Sequence, residues 1–375
     1  MGPSCGLVLA DLGADVLRIE PPEGERTRRL QGFGIGFFGA FNRNKRSVAL
    51  DLKHPAGLAA ARRLLARADV LVENFGPGTM QRLGLDWESA EKLNPRLVYC
   101  ALKGYLPGPY EDLPALDEVV QMQAGLAYMT GPPGRPLRAG ASVIDIFGGV
   151  FGVVGILAAL RERDRTGRGG IVHSALFEAT AFLVSQHMAA AALTGAPPPP
   201  MPARVSSWPV YDVFATADAP VFVGVTSAAH WQRFCAAFDV GALRDDPALA
   251  TYEGLFRERA RVVPALAALL APLPSAEIIA RCRRARIPCA PVAQPADLFD
   301  DPHLLAAGAL LDVALSPSVR ARLPGLPLRL GDAPLPLRRQ PPEAGAHTRE
   351  VLTEAGYAEA ELAELAREGA IGLGR

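Results

Sequence analysis

Several features are scarce or missing in this 375-residue chain. Cysteine occurs five times, at 5, 100, 235, 282 and 289, with no CxxC pair and no Cys/His ligand spacing. An odd, scattered set excludes a disulfide scaffold and a zinc ribbon, and it suits a reducing, cytoplasmic setting. Net charge is missing too: 39 basic residues stand against 39 acidic ones. No global field draws the chain to nucleic acid or to an anionic membrane. The uncharged, apolar stretch Ile146–Leu160 is shorter than the run of about 20 apolar residues that a spanning helix needs. The N-terminus has no basic segment followed by an apolar run, so no signal peptide is read there. His173, His187 and His230 stand at no spacing that suggests a metal site or a triad, and no internal repeat is found.

What is present is a rhythm. GLVLADLGA (6–14) has helical apolar spacing, and DVLRIEP (15–21) alternates like a strand. HPAGLAAARRLLARA (54–68) is helical with Pro55 suited to a first turn, ADVLVENF (68–75) is a short strand, and PGTMQRLGLDWESAEKLNP (77–95) is helical again. RLVYCALKGY (96–105) is a strand, helices follow near 115–130 and 146–162, then strand GIVHSAL (170–176) and a further helix. This alternation predicts α/β architecture with a parallel sheet flanked by helices. At TGAPPPPMPAR (194–204) four prolines stop the rhythm and make a stiff, extended spacer. VYDVFATADAPVFVGV (210–225) reads as two strands, with helices near 228–238, 257–271 and 275–286. A second proline-rich passage (322–342) leads to a helical tail. The predicted organisation is a large α/β domain over 1–193, a linker over 194–208 and a smaller α+β domain over 209–315. A second linker over 316–342 and helices over 343–375 that return to the large domain complete it.

The motif that poses the chemical question is RAGASVIDIFGGVFGVVGILAALRERDRTGRGG (138–170). Asp145 stands immediately before fifteen uncharged residues. Aspartate is a favoured helix N-cap; an ionised carboxylate at a positive helix end is also a competent nucleophile, and first-turn amides can stabilise an oxyanion formed beside it. Spacing alone leaves both roles open. Gly149, Gly152 and Gly155 fall inside the predicted helix, which favours close helix packing over a dinucleotide-binding turn. FNRNKRSVALDLKHP (41–55) carries Arg43, Lys45, Arg46 and Lys53. ENFGPG (73–78) and KGY (103–105) end strands, where ligands collect in open α/β sheets. Lysines there could meet phosphates, and Phe75 could lie against a purine.

Together these stretches, from LADLGADVLRIEPP through NRNKRSVALDLKHPAG, ADVLVENFGPGTMQRLGLDW, LNPRLVYCALKGY and LDEVVQMQAGLAYMTGPPGRPLRAG to the Asp145 segment, resemble the family III CoA-transferases, the CaiB/BaiF family. The likeness continues weakly through RIPCAPV and DLFDDPHL to AGAHTREVL, so it covers essentially the whole chain. It implies a Rossmann-like large domain, a small domain on long linkers, and two chains threaded as an interlocked homodimer. It implies Asp145 as the nucleophile, CoA contacts at Leu50, Lys53, Asn74, Phe75, Arg82 and Lys103, and a CoA-ester donor and carboxylic acid acceptor with no tightly bound cofactor and no metal. The stretch 101–140 looks most like members that pass CoA from succinyl-CoA to C4–C5 dicarboxylates such as itaconate, mesaconate, citramalate or malate. Arg204, with Arg138 behind it, is the candidate for the distal carboxylate, since arginine binds carboxylates bidentately.

Two departures bear on function. The chain begins at MGPSCG, where the resemblance implies a preceding strand and active-site loop; a misplaced start, or a CoA-binding protein impaired in turnover, is the expectation. The glycine-rich loop of formyl-CoA transferases has no counterpart around VSSWPVYDVF, so formyl-CoA and oxalate are not expected as substrates. The family's racemases carry histidine directly before the acid matching Asp117; Leu116 stands there, so racemisation ranks last.

Overall fold

The structure is a computed structural model and describes residues 1–374. It divides into two compact units, one formed by Met1–Ala203 with the chain from Pro302 onward, the other by Arg204–Asp301.

The first unit alternates helix and strand: α1 (Gly2–Asp11), β1 (Val16–Glu20), α2 (Phe37–Phe41), β2 (Lys45–Leu50), α3 (Pro55–Leu65), β3 (Val70–Glu73), α4 (Thr79–Leu83), α5 (Trp87–Leu93), β4 (Val98–Lys103), α6 (Asp117–Gln123), α7 (Leu126–Thr130), α8 (Val143–Thr166), β5 (Gly170–Ala175), α9 (Leu176–Leu183) and α10 (Ser185–Thr194). Pro55 occupies the first turn of α3, where a missing N–H costs nothing. Two segments expected as single helices are each broken by a glycine in the left-handed region. Gly84 (φ 60°) separates α4 from α5, and Gly125 (φ 85°) separates α6 from α7.

The strands are parallel, as the alternation predicts, but they form two sheets. β1 runs parallel to β2, and the short strand Ile371–Gly372 adds antiparallel on the other side of β2. β3, β4 and β5 form a separate all-parallel sheet. β4 is buried on both faces. Val98, Cys100 and Leu102 pack with Ile144, Val153 and Ile156, while Tyr99 and Ala101 pack with Met80, Leu85 and Ala90. A strand covered on both sides has to be apolar throughout, which is why VYCALK lacks polar alternation.

By length and composition alone α8 is apolar enough to cross a bilayer, because as a 24-residue helix it outruns the uncharged stretch. Its glycine-lined face is nevertheless packed inside the unit against α1, β4 and β5. Val150, Val154 and Leu157 on the same helix are exposed.

The second unit has its own sheet, β6 (Val210–Phe214), β7 (Val221–Val225) and β8 (Cys289–Pro291), all antiparallel. Helices α11 (Ala228–Ala237), α12 (Tyr252–Arg257), α13 (Arg259–Leu270) and α14 (Ser275–Arg284) cover it. Phe234, Phe238, Leu266 and Ile278 are buried at its centre. Beyond Pro302 a hairpin, β9 (Leu310–Ser316) with β10 (Val319–Pro324), and helices Thr348–Glu354 and Glu359–Arg367 belong with the first unit.

Candidate active site

Asp145 is the third residue of α8, and its side chain is about one-third exposed. It is not the cap of its own helix. Ser142 holds the N-cap position without a side-chain bond. The cap comes from α6: Asp117 Oδ2 accepts from the backbone N–H groups of Ile144 and Asp145, at 3.0 Å each. Those first-turn amides are therefore already engaged, and the expectation that they stabilise an oxyanion is corrected. Asp117 Oδ1 accepts from Gln121 Nε2 at 2.6 Å and lies 3.6 Å from Arg138. Gln121 Oε1 in turn accepts from the Ala139 amide at 2.8 Å, which ties down the loop that leads into α8.

On the other side of Asp145 stands α1. The Met1 amino nitrogen lies 2.8 Å from Asp145 Oδ1, and Ser4 Oγ lies 2.9 Å from the Asp145 backbone oxygen. This approach requires the glycines. A Cβ on Gly148 would meet Met1 Sδ at 2.6 Å, one on Gly149 would meet Ser4 Oγ at 2.3 Å, and one on Gly152 would meet Leu102 at 2.8 Å. Close packing, the reading made from sequence, is what they serve. Asp145 faces a small cleft also lined by Met1, Pro3, Ser4, Phe37, Phe41, Ser142 and Ile146. No other side-chain acid or base is in that lining. A carboxylate whose cleft supplies no second acid–base side chain, and whose one close cation is the Met1 amino group, is better equipped for nucleophilic attack than for proton shuttling between side chains.

The expected CoA residues fall in two groups. Asn74 and Phe75 follow β3 and Lys103 ends β4, so neighbouring strands bring the three together. Lys103 Nζ donates to Glu73 Oε2 (2.7 Å) and to the Phe75 carbonyl (2.9 Å), and Glu73 Oε2 also accepts from the Phe75 amide (3.0 Å). Glu73 is buried, whereas Phe75 is 47% exposed and free to meet a flat ligand. The Asn74 side chain abuts Gly2, since a Cβ there would lie 2.7 Å from its Oδ1. Arg82, exposed on α4, donates to Thr79 Oγ1. Leu50 and Lys53 belong to the end of β2: Leu50 is buried in the core, and Lys53 is exposed in the turn that follows.

The rest of the basic run in 41–55 is not a ligand surface. Arg43 forks onto Asp11, with nitrogens 2.7 and 3.1 Å from Oδ2. Arg46 pairs with Asp15, Glu350 and Glu354; burial opposes its charge, but Asp15 and Glu354 raise its pKa above the ordinary arginine value. Lys45 is 2% exposed. These cations fasten β2 to α1 and to the C-terminal helix Thr348–Glu354. Arg138 is half-buried and donates to the Ala141 carbonyl at 3.0 Å. Arg204 is exposed at the start of the second unit. Sequence reading used Asp117 only as a landmark and missed Ser4 and Glu73. The acidic start of LDEVV is a helix-N-terminus signal, but nothing local reveals that Asp117 also caps a second helix. Among the described residues no group of three or more His, Cys, Asp and Glu side chains is arranged to hold a metal ion.

An α/β unit that presents one partly exposed carboxylate in a mostly apolar cleft, with a strand-end group for a large ligand alongside, is an acyl-transfer scaffold. Comparison with known proteins narrows this. The family model for CoA-transferase family III matches residues 1–348. A succinate–glutarate CoA-transferase of Agrobacterium fabrum is 32% identical over 94% of this chain and 92% of its own length. A formyl-CoA:oxalate CoA-transferase of Streptomyces avermitilis is 33% identical over 99% of this chain and 96% of its own. A CaiB/BaiF family protein from Brucella suis superposes with a TM-score of 0.82 at 30% identity, covering 94% of this chain and 95% of that one. The chain belongs to CoA-transferase family III, and it is a CoA-transferase.

Proposed function

We propose that this enzyme moves CoA from succinyl-CoA to a C4–C5 dicarboxylate such as itaconate, mesaconate, citramalate or malate through covalent intermediates on Asp145. The observation that carries the reading is the partly exposed Asp145 carboxylate at the mouth of α8, the only acidic or basic side chain lining its cleft. An Asp145 oxygen attacks the thioester carbonyl, the C–S bond breaks, and CoA thiolate leaves a mixed anhydride. The thiolate sulfur then attacks the aspartyl Cγ, releasing the donor acid and forming an aspartyl-CoA thioester. An acceptor carboxylate displaces the thiolate to give a second anhydride, and the thiolate attacks the acceptor acyl carbon, restoring Asp145. Each step trades one activated acyl bond for another, so the balance requires no redox partner. The protein positions the groups and keeps water out.

Asn74, Phe75, Arg82, Lys103, Leu50 and Lys53 are assigned to CoA, with Leu50 able to contribute only backbone because its side chain is buried. Arg204 and Arg138 are assigned to the distal carboxylate. The name of the Agrobacterium relative supports four- and five-carbon diacids, and the missing glycine-rich loop speaks against formyl-CoA and oxalate. The same reading makes the first unit a Rossmann-like domain in an interlocked homodimer, to which the uncovered apolar face of α8 is suited. All five cysteines are free thiols, in keeping with a cytoplasmic reaction.

Succinyl-CoA is to be mixed with a panel of dicarboxylates and new CoA esters followed by mass spectrometry. Hydroxylamine should label Asp145 only in the presence of donor, and Asp145→Ala should abolish transfer while acyl-CoA binding persists. Transfer retained by Asp145→Ala refutes the nucleophile. Acyl-CoA binding without any transfer by the parent protein favours the impaired binding protein instead.

A further inference from the structure

Lys45 has no part in the chemistry above, yet it is the most confined cation beside the cleft. The chain is poor in lysine: only Lys45, Lys53, Lys92 and Lys103 stand among its 39 basic residues, the rest being arginine. Lys45 Nζ donates to three oxygens, the Phe41 carbonyl at 2.7 Å, the Pro3 carbonyl at 2.8 Å and Asn42 Oδ1 at 3.0 Å. Asn42 Oδ1 is itself fixed by Arg18, at 2.8 Å. An ammonium has three N–H donors and all three find acceptors; a neutral amine has two and would leave one oxygen without a donor. Burial and the nearby Arg18 pull the Lys45 pKa well below the ordinary lysine value. The three converging oxygens act in the opposite direction, toward the charged form. The planar fork of arginine does not reproduce this tripod.

The partners matter more than their number. Pro3 lies in the first turn of α1 and Phe41 ends α2, and both line the cleft that holds Asp145. The same first turn carries Ser4, whose hydroxyl reaches the Asp145 carbonyl. We propose that Lys45 is a positioning residue for CoA transfer: its ammonium ties the first turn of α1 to the end of α2 and so sets the cleft in which Asp145 meets the thioester. The inference rests on Asp145 being the nucleophile. Attack by a carboxylate depends steeply on approach geometry, and misplacement by about 1 Å costs on the order of 100-fold in rate.

The test compares Lys45→Met with Lys45→Arg in the full chain, using succinyl-CoA and itaconate as the probe pair. Lys45→Met should lower kcat by roughly 10- to 100-fold while KM for succinyl-CoA stays within about twofold. Slower hydroxylamine trapping on Asp145 should accompany that loss. Should Lys45→Met fail to fold, Lys45→Arg and Ser4→Ala are combined in a double-mutant cycle. Because both act through one turn, their combined loss in kcat should be smaller than the product of the single losses. An unchanged kcat in Lys45→Met, a loss confined to KM, or fully multiplicative losses in the cycle would overturn the proposal. In each of those cases Asp145→Ala remains inactive. Activity retained by Asp145→Ala, or no turnover by the parent protein, instead overturns the nucleophile reading and this inference with it.

Discussion

Asp145 and Asp117 are both aspartates at helix starts, and what faces each of them separates their work. Asp145 points one oxygen at α1 and keeps about a third of its side chain in solvent. Asp117 is 9% exposed and spends its oxygens on two amides of α8 and on Gln121. Replacing Asp117 by alanine leaves two N–H groups near the buried mouth of α8 without an acceptor. The expected cost is about 1–3 kcal/mol for each group left unsatisfied. Denaturant titration should show that loss, and the rate of transfer should fall with it. Asp117→Asn keeps one carbonyl acceptor and should lose less. Equal stability of Asp117→Ala and the parent would show that water replaces the carboxylate. Neither role is visible from one residue's neighbours in sequence: Asp145 is legible as an acid before an apolar run, but its cap arrives from 28 residues upstream.

Among the elements, α8 shows how a pattern is read correctly and its partner missed. Glycines at 149, 152 and 155 inside an apolar helix mean close packing, and the structure confirms it; only the fold identifies the neighbours as Ser4, Leu102 and Val172. Gly149→Ala sets two effects against each other. Alanine gains about 1 kcal/mol of helix propensity over glycine, but its Cβ would sit 2.3 Å from Ser4 Oγ and 3.0 Å from the Met1 carbonyl oxygen. Overpacking at a backbone contact typically costs about 1–3 kcal/mol, so the net sign is destabilising. Thermal melts should show Gly149→Ala below the parent, with transfer reduced because α1 is pushed away from Asp145. Gly170→Ala, where an added Cβ meets nothing within 4 Å, is the control and should melt close to the parent. Matching melting points for the two variants would mean that α1 yields freely. β2 teaches the reverse lesson. Its Lys45, Arg46 and neighbouring Arg43 look like an exposed basic run in sequence, yet each finds an anion or a set of carbonyls and none is left for phosphate.

For the whole molecule, the two units have separate hydrophobic cores, each assembled from within its own unit. Within the first unit the outer face of α8 leaves Ile146, Val150, Phe151, Val154 and Leu157 at 38 to 56% exposure. Such a continuous apolar strip calls for a cover. The proposed homodimer supplies one, and light scattering is expected to give twice the 39.7 kDa chain mass at micromolar concentration. Val154→Glu and Leu157→Glu, placed away from the cleft lining, should shift the protein toward monomer. A monomeric parent protein would remove the dimer from the account.

Local pattern in the chain was enough to locate most strands and helices, the proline spacer at 196–202 and the acid at the head of α8. Periodicity, turn chemistry and helix-stop signals act over a few residues and are written side by side in the sequence. Tertiary structure alone decided which charges are struts and which are free to meet a ligand. Arg46 meets Glu350 across 304 residues and Lys45 meets Pro3 across 42, and a charge's role depends on what folding brings against it. The division of the parallel strands into two sheets belongs to the same level, because backbone pairing is settled between strands far apart in the chain.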